Sequence, residues 1–245
     1  MGNAQRYDRL DALRGVAIVW MTAYHFCFDL NHYRWISQDF YRDPFWIWQR
    51  TAIVSLFLLC AGAGQAVALQ QGQSWSHFWR RWSRIVGCAL LVSVGSYLIY
   101  PGSYIYFGVL HGIAVMLIIV RLTAHWGRWL WLCGGVAVAM KFIAFYALSM
   151  STGLQFLNGR AFNWLGLISV KPVTEDYVPL IPWLGVMWWG VAATRWLLQY
   201  RPAALSGPIP AAVQWLVFLG TWSLGYYMLH QPILFGIFEA AQYFR

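Results

Sequence analysis

Residues 10–30 read LDALRGVAIVWMTAYHFCFDL. A bilayer core takes about 20 helical residues at 1.5 Å each, so this run is long enough to cross one. A passive anchor would be polar only at its ends. Here Asp11, Arg14, Thr22, His25 and Asp29 are distributed along the whole run. At about 100° per residue, Arg14 and His25 fall about 20° apart around the axis, and Asp11 and Asp29 coincide. All five therefore share one narrow face. Arg14 and His25 are separated by about 16 Å along the axis. A charge at mid-bilayer costs at least about 2.5–3.5 kcal/mol, so such a stripe faces a polar interior or a wet cavity rather than lipid. It lines an active site or transport path, or else it links helices in a buried structural network.

The rest of the chain agrees with a membrane setting. Of 245 residues, 60% are hydrophobic, 19% aromatic and only 10% charged, with mean hydropathy +0.51. A soluble domain carries about 25% charged residues and could not hide this much apolar surface. Disorder, a collagen-like chain, a disulfide scaffold and a soluble Rossmann-type enzyme are excluded. The 17 Trp and 14 Tyr suit the two membrane interfaces. The expected fold is all-α, a polytopic transmembrane bundle over 1–245 as a single domain. Seven spans are read at 10–30, 46–69, 83–100, 105–121, 129–149, 178–198 and 221–242. The short apolar stretch 209–219 runs into Gly220-Thr221-Trp222-Ser223, a break. It is a half-helix or interfacial piece, and an eighth span stays open.

The net charge of +9 follows from topology rather than from nucleic-acid binding. With the N-terminus inside, Arg6, Arg9, Arg14, Arg80, Arg81, Arg84, Arg121, Arg128, Arg195 and Arg201 lie on the inner side. Arg34, Arg42, Arg50, Arg160, Lys171 and Arg245 lie outside, and Lys141 is mid-span, where it could snorkel. Ten against six favours N-in. The first run is read as a retained signal anchor rather than a cleaved leader. Cys27, Cys60, Cys88 and Cys133 show no ligand spacing, so neither a disulfide nor a metal is expected.

Other spans supply matching polar groups. The fourth holds YFGVLHG with His111. The last holds SLGYYMLHQP, where Ser223, Tyr227 and His230 recur on one helical face, followed by Gln231. The sixth opens on EDYVPLIPWLG, with Glu175 and Asp176 at its outer mouth and two prolines that would kink it. A lone histidine on such a helix is ordinarily a satisfied core residue, but three at similar depth point to a shared site. HFWRRWSRIVG at 77–87 sets Arg81 and Arg84 on one face with Arg80 beside them. That is either a positive-inside flank or a docking site for an anionic cytosolic ligand, since Arg forks suit phosphates.

Four stretches, RLDALRGVAIVWMTAYHFCFDL, YIYFGVLHGIAVMLI, DYVPLIPWLGVMWWG and LGTWSLGYYMLHQP, resemble in order the catalytic domain of the heparan-α-glucosaminide N-acetyltransferase family, bacterial branch. The first-helix spacing and the Arg81-Trp82-Ser83-Arg84 element are also similar to the wider group of integral-membrane acyltransferases. The resemblance implies acetyl-CoA or another acyl-CoA as co-substrate, used from the cytosol, with no metal. It implies a glycan or small-molecule acceptor on the far side of a bacterial cytoplasmic membrane, and glycan modification as the outcome. The partners implied are the bilayer, acyl-CoA and the acceptor, with no nucleic acid; a homo-oligomer is compatible.

In that setting His25 is the catalytic base, with Asp29 as orienting partner and Arg14 lining the donor path; a variant has His25 carry the acetyl group. In animal members the implicated histidine lies in the loop after the first helix, where this chain offers His32, so His25 and His32 both stand as candidates. Animal members also carry a luminal domain not found here, so heparan itself is not the expected acceptor. Arg80, Arg81 and Arg84 are expected to hold acyl-CoA phosphates. His111, Asp176, Tyr227, His230 and Gln231 are expected to bind the acceptor or the oxyanion. A proton-coupled transporter of a small solute would explain intramembrane charges equally well. It predicts an internal repeat, and none is evident. A structural or assembly subunit would need no polar stripe.

Overall fold

The computed structural model describes residues 6–244. Arg245, one of the six cations assigned to the outer side, lies outside the described residues. The described chain is helical, and its one β-type pairing is an isolated parallel bridge between Phe107 and Tyr177. The helices are α1 (Asp8–His32), α2 (Pro44–Gln70), α3 (Trp75–Ile99), α4 (Val109–Thr123), α5 (Trp129–Met150), α6 (Leu180–Tyr200), α7 (Ala203–Ser206), α8 (Gln214–Thr221) and α9 (Ser223–Tyr243). The all-α expectation holds. Four stretches are long and apolar enough to cross a membrane by length and composition: α2, α3, α5, and α4 with the 3₁₀ turn that extends it to Trp126. α3 leaves Leu90, Leu91, Val94 and Leu98 exposed. Such a face suits hydrocarbon rather than water.

The element boundaries follow local chemistry that apolarity alone does not mark. Apolarity starts the third span at 83, yet α3 starts at Trp75. Ser74 caps it by accepting from the His77 N–H at 3.3 Å, and the arginines between are good helix formers. Apolarity starts the fourth at 105, yet α4 starts at Val109. Residues just before it are held by other bonds: Ile105 N–H donates to Ser96 Oγ at 3.0 Å, and Ser93 Oγ donates to Ile105 O at 2.7 Å. The expected disturbance near Pro179 and Pro182 appears at Ile181, which is extended (φ −97°, ψ 129°) within α6. The break at 220–223 is also present. Trp222 (φ −98°, ψ 17°) separates α8 from α9.

The chain gathers into two compact units, one of Leu58–Tyr200 and one of residues 6–57 with 201–244. In the first, α5 packs along α6, and α4 packs against α3 and α6. Trp82 Nε1 donates to the Ala114 carbonyl at 2.9 Å, fixing α3 on α4, and Trp188 Nε1 donates to Thr123 Oγ1 at 2.9 Å, fixing α6 on α4. In the second, α1 is the spine, with α8 along its first half and α9 beside it. The α1–α8 approach depends on two glycines. A methyl on Gly15 would stand 2.8 Å from the Leu216 carbonyl carbon, and one on Gly220 would stand 2.6 Å from the Asp11 carbonyl carbon. Only residues that end at Cα allow the two backbones to come this near.

Candidate active site

The polar stripe of α1 turns inward. Asp11 and Asp29 are buried, and Thr22, His25 and Arg14 are partly buried on the same side. At the start of α1, Asp11 accepts from Arg6 at 2.6 Å and from Arg14 at 2.8 Å. A buried carboxylate between two guanidiniums is neutralised without leaving a bare charge in the helix. Arg14 therefore serves an ion-paired cluster here, about 16 Å along the helix from His25.

Further along the stripe, α9 supplies the partners. Thr22 Oγ1 lies 3.0 Å from the Tyr226 hydroxyl. His25 Nδ1 lies 2.7 Å from Gln231 Oε1 and 3.3 Å from His230 Nε2. Gln231 Nε2 donates to Asp29 Oδ1 at 3.0 Å. His230 is buried, donates from Nδ1 to the Tyr227 carbonyl at 2.7 Å, and stacks nearly parallel to Tyr226. The sequence places Asp29 one helical turn from His25. Their link in the structure runs through the Gln231 amide.

His25, Asp29, His230 and Gln231 thus form one cluster within this unit. His32 is exposed at the last turn of α1, edge-on to Tyr33 and Phe235. Sequence reasoning does not single out Tyr226. Its signal is its position four residues before His230, which shares a face in a helix as surely as three does. Lys141 is exposed on α5 with its ammonium over the Phe142 ring.

In the other unit, His111 and Asp176 meet at the start of α4. Val109 N–H donates to Asp176 Oδ2 at 2.7 Å, and Gly108 N–H donates to His111 Nδ1 at 3.3 Å. Two of the unpaired amides at the helix N-terminus are satisfied this way. Gly108 is required there: a methyl would press into the Asp176 carboxylate, 3.0 Å from its carbon. Burial pushes the Asp176 carboxyl above its ordinary range, and the Val109 amide pulls it back only in part. His111 Nε2 lies 3.0 Å from Ser93 Oγ, so both its ring nitrogens have protein partners. Ser93 is legible only as one of two serines three residues apart in VSVGS. Glu175 is exposed and accepts from Ser103 Oγ.

Arg80, Arg81 and Arg84 are exposed on the first turns of α3. Nearby, Arg121 is buried beneath the Trp75 and Phe78 rings at 5.1 and 5.5 Å, and donates to the Gln73 carbonyl. The basic residues around the start of α3 thus divide in two: Arg121 locks the turn between α2 and α3, and Arg80, Arg81 and Arg84 are exposed. Among the described residues, no group of three or more His, Cys, Asp or Glu side chains is placed to hold a metal ion.

Comparison with curated proteins and with solved structures gives no match. Comparison with protein families matches residues 6–232 to one described as "Heparan-alpha-glucosaminide N-acetyltransferase, catalytic". The matched range takes in the α1 stripe, the start of α4, Pro179 and Pro182 where α6 begins, and His230 and Gln231. An acetyltransferase class of membrane enzyme accords with the histidine cluster between α1 and α9, and the chain belongs to the heparan-α-glucosaminide N-acetyltransferase catalytic-domain family.

Proposed function

We propose that the protein moves an acetyl or other acyl group from cytosolic acyl-CoA to a sugar hydroxyl or amine of a glycan or small molecule. The acceptor is taken from the outer side of a bacterial cytoplasmic membrane, with the N-terminus inside. The observation that carries this reading is an imidazole, His25, held between α1 and α9 by Gln231 and His230. A partly buried imidazole with its orientation fixed is what an acyl transfer asks for, since histidine can serve as base and then acid near neutrality.

His25 takes the proton from the acceptor O–H or N–H as the oxygen or nitrogen attacks the thioester carbonyl carbon. The C–S bond then breaks, and the CoA sulfur receives the proton from His25, which restores the neutral ring. Asp29 orients, and His230 or Gln231 serves the acceptor or the oxyanion. Arg80, Arg81 and Arg84 take the donor's phosphates, a role suited to exposed guanidinium forks. His111, Asp176 and Tyr227 serve the acceptor side, and Arg14 steadies the donor path through Asp11.

The test is turnover of acetyl-CoA by the purified protein in detergent, with and without added glycan acceptors. His25→Ala is expected to lower kcat by about 10²-fold or more, the range for a lost general base. His32→Ala is expected to leave it near normal. Normal turnover in a folded His25→Ala protein would transfer the role to His32. Solute uptake without any thioester cleavage would favour a carrier.

A further inference from the structure

The order of groups in the cluster fixes where the proton of His25 sits. Asp29, as a carboxylate, can only accept hydrogen bonds. Its Oδ1 takes one from Gln231 Nε2 at 3.0 Å, so the amide presents its NH₂ to Asp29. The carbonyl end, Oε1, therefore faces His25 Nδ1 at 2.7 Å. A carbonyl can only accept as well, so Nδ1 must carry the hydrogen. A neutral imidazole has one such hydrogen, which leaves the lone pair on Nε2.

The far side of the ring cluster agrees with this order through a longer and weaker contact. The Tyr227 carbonyl can only accept, so His230 Nδ1 is the protonated atom of its ring. His230 Nε2 then carries a lone pair, and it lies 3.3 Å from the same His25 Nδ1. Two acceptors from α9 thus converge on one hydrogen of α1.

We propose that Gln231 is a positioning residue that converts the Asp29 charge into a single tautomer of His25, with Nε2 as the basic atom. This rests on the reading of His25 as the base. When Nε2 takes the acceptor's proton, the ring becomes an imidazolium whose Nδ1–H points at a carbonyl polarised by Asp29. The amide thereby supports the charged ring without a direct carboxylate contact. Gln231 and Asp29 exert this effect through His25.

The experiment uses the full-length protein in detergent, labelled with ¹⁵N-histidine, at a pH where the ring is neutral. The His25 signals are identified by their loss in His25→Ala. Wild-type His25 is expected to show a protonated Nδ1 and an unprotonated Nε2. Asp29→Asn removes the constraint on the Gln231 amide, because a carboxamide at position 29 can donate or accept; a mixture of tautomers is expected. Gln231→Met removes both contacts, with kcat expected to fall by about 10²-fold, the lower end of a general base's contribution, and KM little changed. The double variant Asp29→Asn/Gln231→Glu reverses the first bond, with the carboxamide at position 29 donating to a carboxylate at 231 that can only accept from Nδ1–H, and is expected to recover the single tautomer and most of the turnover.

A protonated Nε2 in His25 would overturn the proposal, and that measurement reads the wild-type protein itself. So would a double variant no better than Asp29→Asn alone. If His25→Ala keeps full turnover while the tautomer is as expected, the assignment of the base fails and the positioning stands. If His25 is essential but Gln231→Met changes neither tautomer nor kcat, the reverse holds.

Discussion

Replacing Gly220 by alanine tests whether the α1–α8 contact holds the stripe in place. The two helices meet antiparallel and reciprocally, with Gly15 against Leu216 and Gly220 against Asp11, one turn apart on each. A methyl on Gly220 would lie 2.6 Å from the Asp11 carbonyl carbon and 3.1 Å from its Cα. Ordinary carbon contacts are about 3.5–4.0 Å, so the backbones must part by roughly an ångström. Overpacking of this kind costs about 1–3 kcal/mol. Working against that, alanine favours a helix over glycine by up to about 1 kcal/mol. The net expectation is a loss of about 1–2 kcal/mol for Gly220→Ala, and the same for Gly15→Ala.

The reciprocal geometry gives a sharper expectation. Once the helices have separated for one methyl, the second enters space already opened. The double variant should therefore lose much less than the sum of the singles, with a coupling of about 1 kcal/mol or more. Gly87→Ala in α3 is the control, since a methyl there meets nothing within 4 Å; it should be neutral or stabilising. The assay is a double-mutant cycle on reversible unfolding in mixed micelles. Singles as harmless as Gly87→Ala, or strictly additive losses, would refute the packing argument.

Arg81→Ala and Arg84→Ala are expected to weaken CoA binding measured by calorimetry, and added salt to weaken it further, since exposed charges are screened; unchanged affinity in both would return the cluster to a topology signal. Asp176→Ala is expected to cost about 1 kcal/mol in thermal unfolding, as for a lost helix cap. Because burial raises the Asp176 pKa, the folded protein binds that proton more tightly than the unfolded chain. Its contribution to stability is then full below the ordinary carboxylate range and declines as pH rises through the folded-state value, so Asp176→Asn should flatten that decline. Cysteines placed at Gln38 and Gln73 test orientation: in intact cells an impermeant thiol reagent should reach the first and not the second, and the opposite pattern would invert the topology.

Much of the fold is legible in the sequence because the bilayer leaves few choices. Apolar runs of membrane length must be helices, and 46–69 and 129–149 fall within a few residues of α2 and α5. Helix starts are less legible. At α3 a serine cap and arginines outweigh the edge of the apolar run, and at α4 serines and Asp176 claim the preceding backbone. The packing of α8 on α1 is not legible at all. It rests on Gly15 and Gly220, 205 residues apart, and a single sequence gives no measure of which glycines face each other.

The site is legible in part for a similar reason. Periodicity along one helix says which residues share a face, so the stripe of Asp11, Arg14, Thr22, His25 and Asp29 can be read directly. It says nothing of what a second helix inserts between them. His25 and Asp29, four residues apart, look like a directly bonded pair, yet the Gln231 amide stands between them. An amide differs from a direct contact because its two ends are chemically unlike. It can hold a carboxylate and an imidazole together while dictating which ring nitrogen keeps its proton. That choice decides whether the first helix presents a base or a donor at Nε2. It is set by the rotation of one glutamine side chain on the last helix, a degree of freedom that no spacing rule contains.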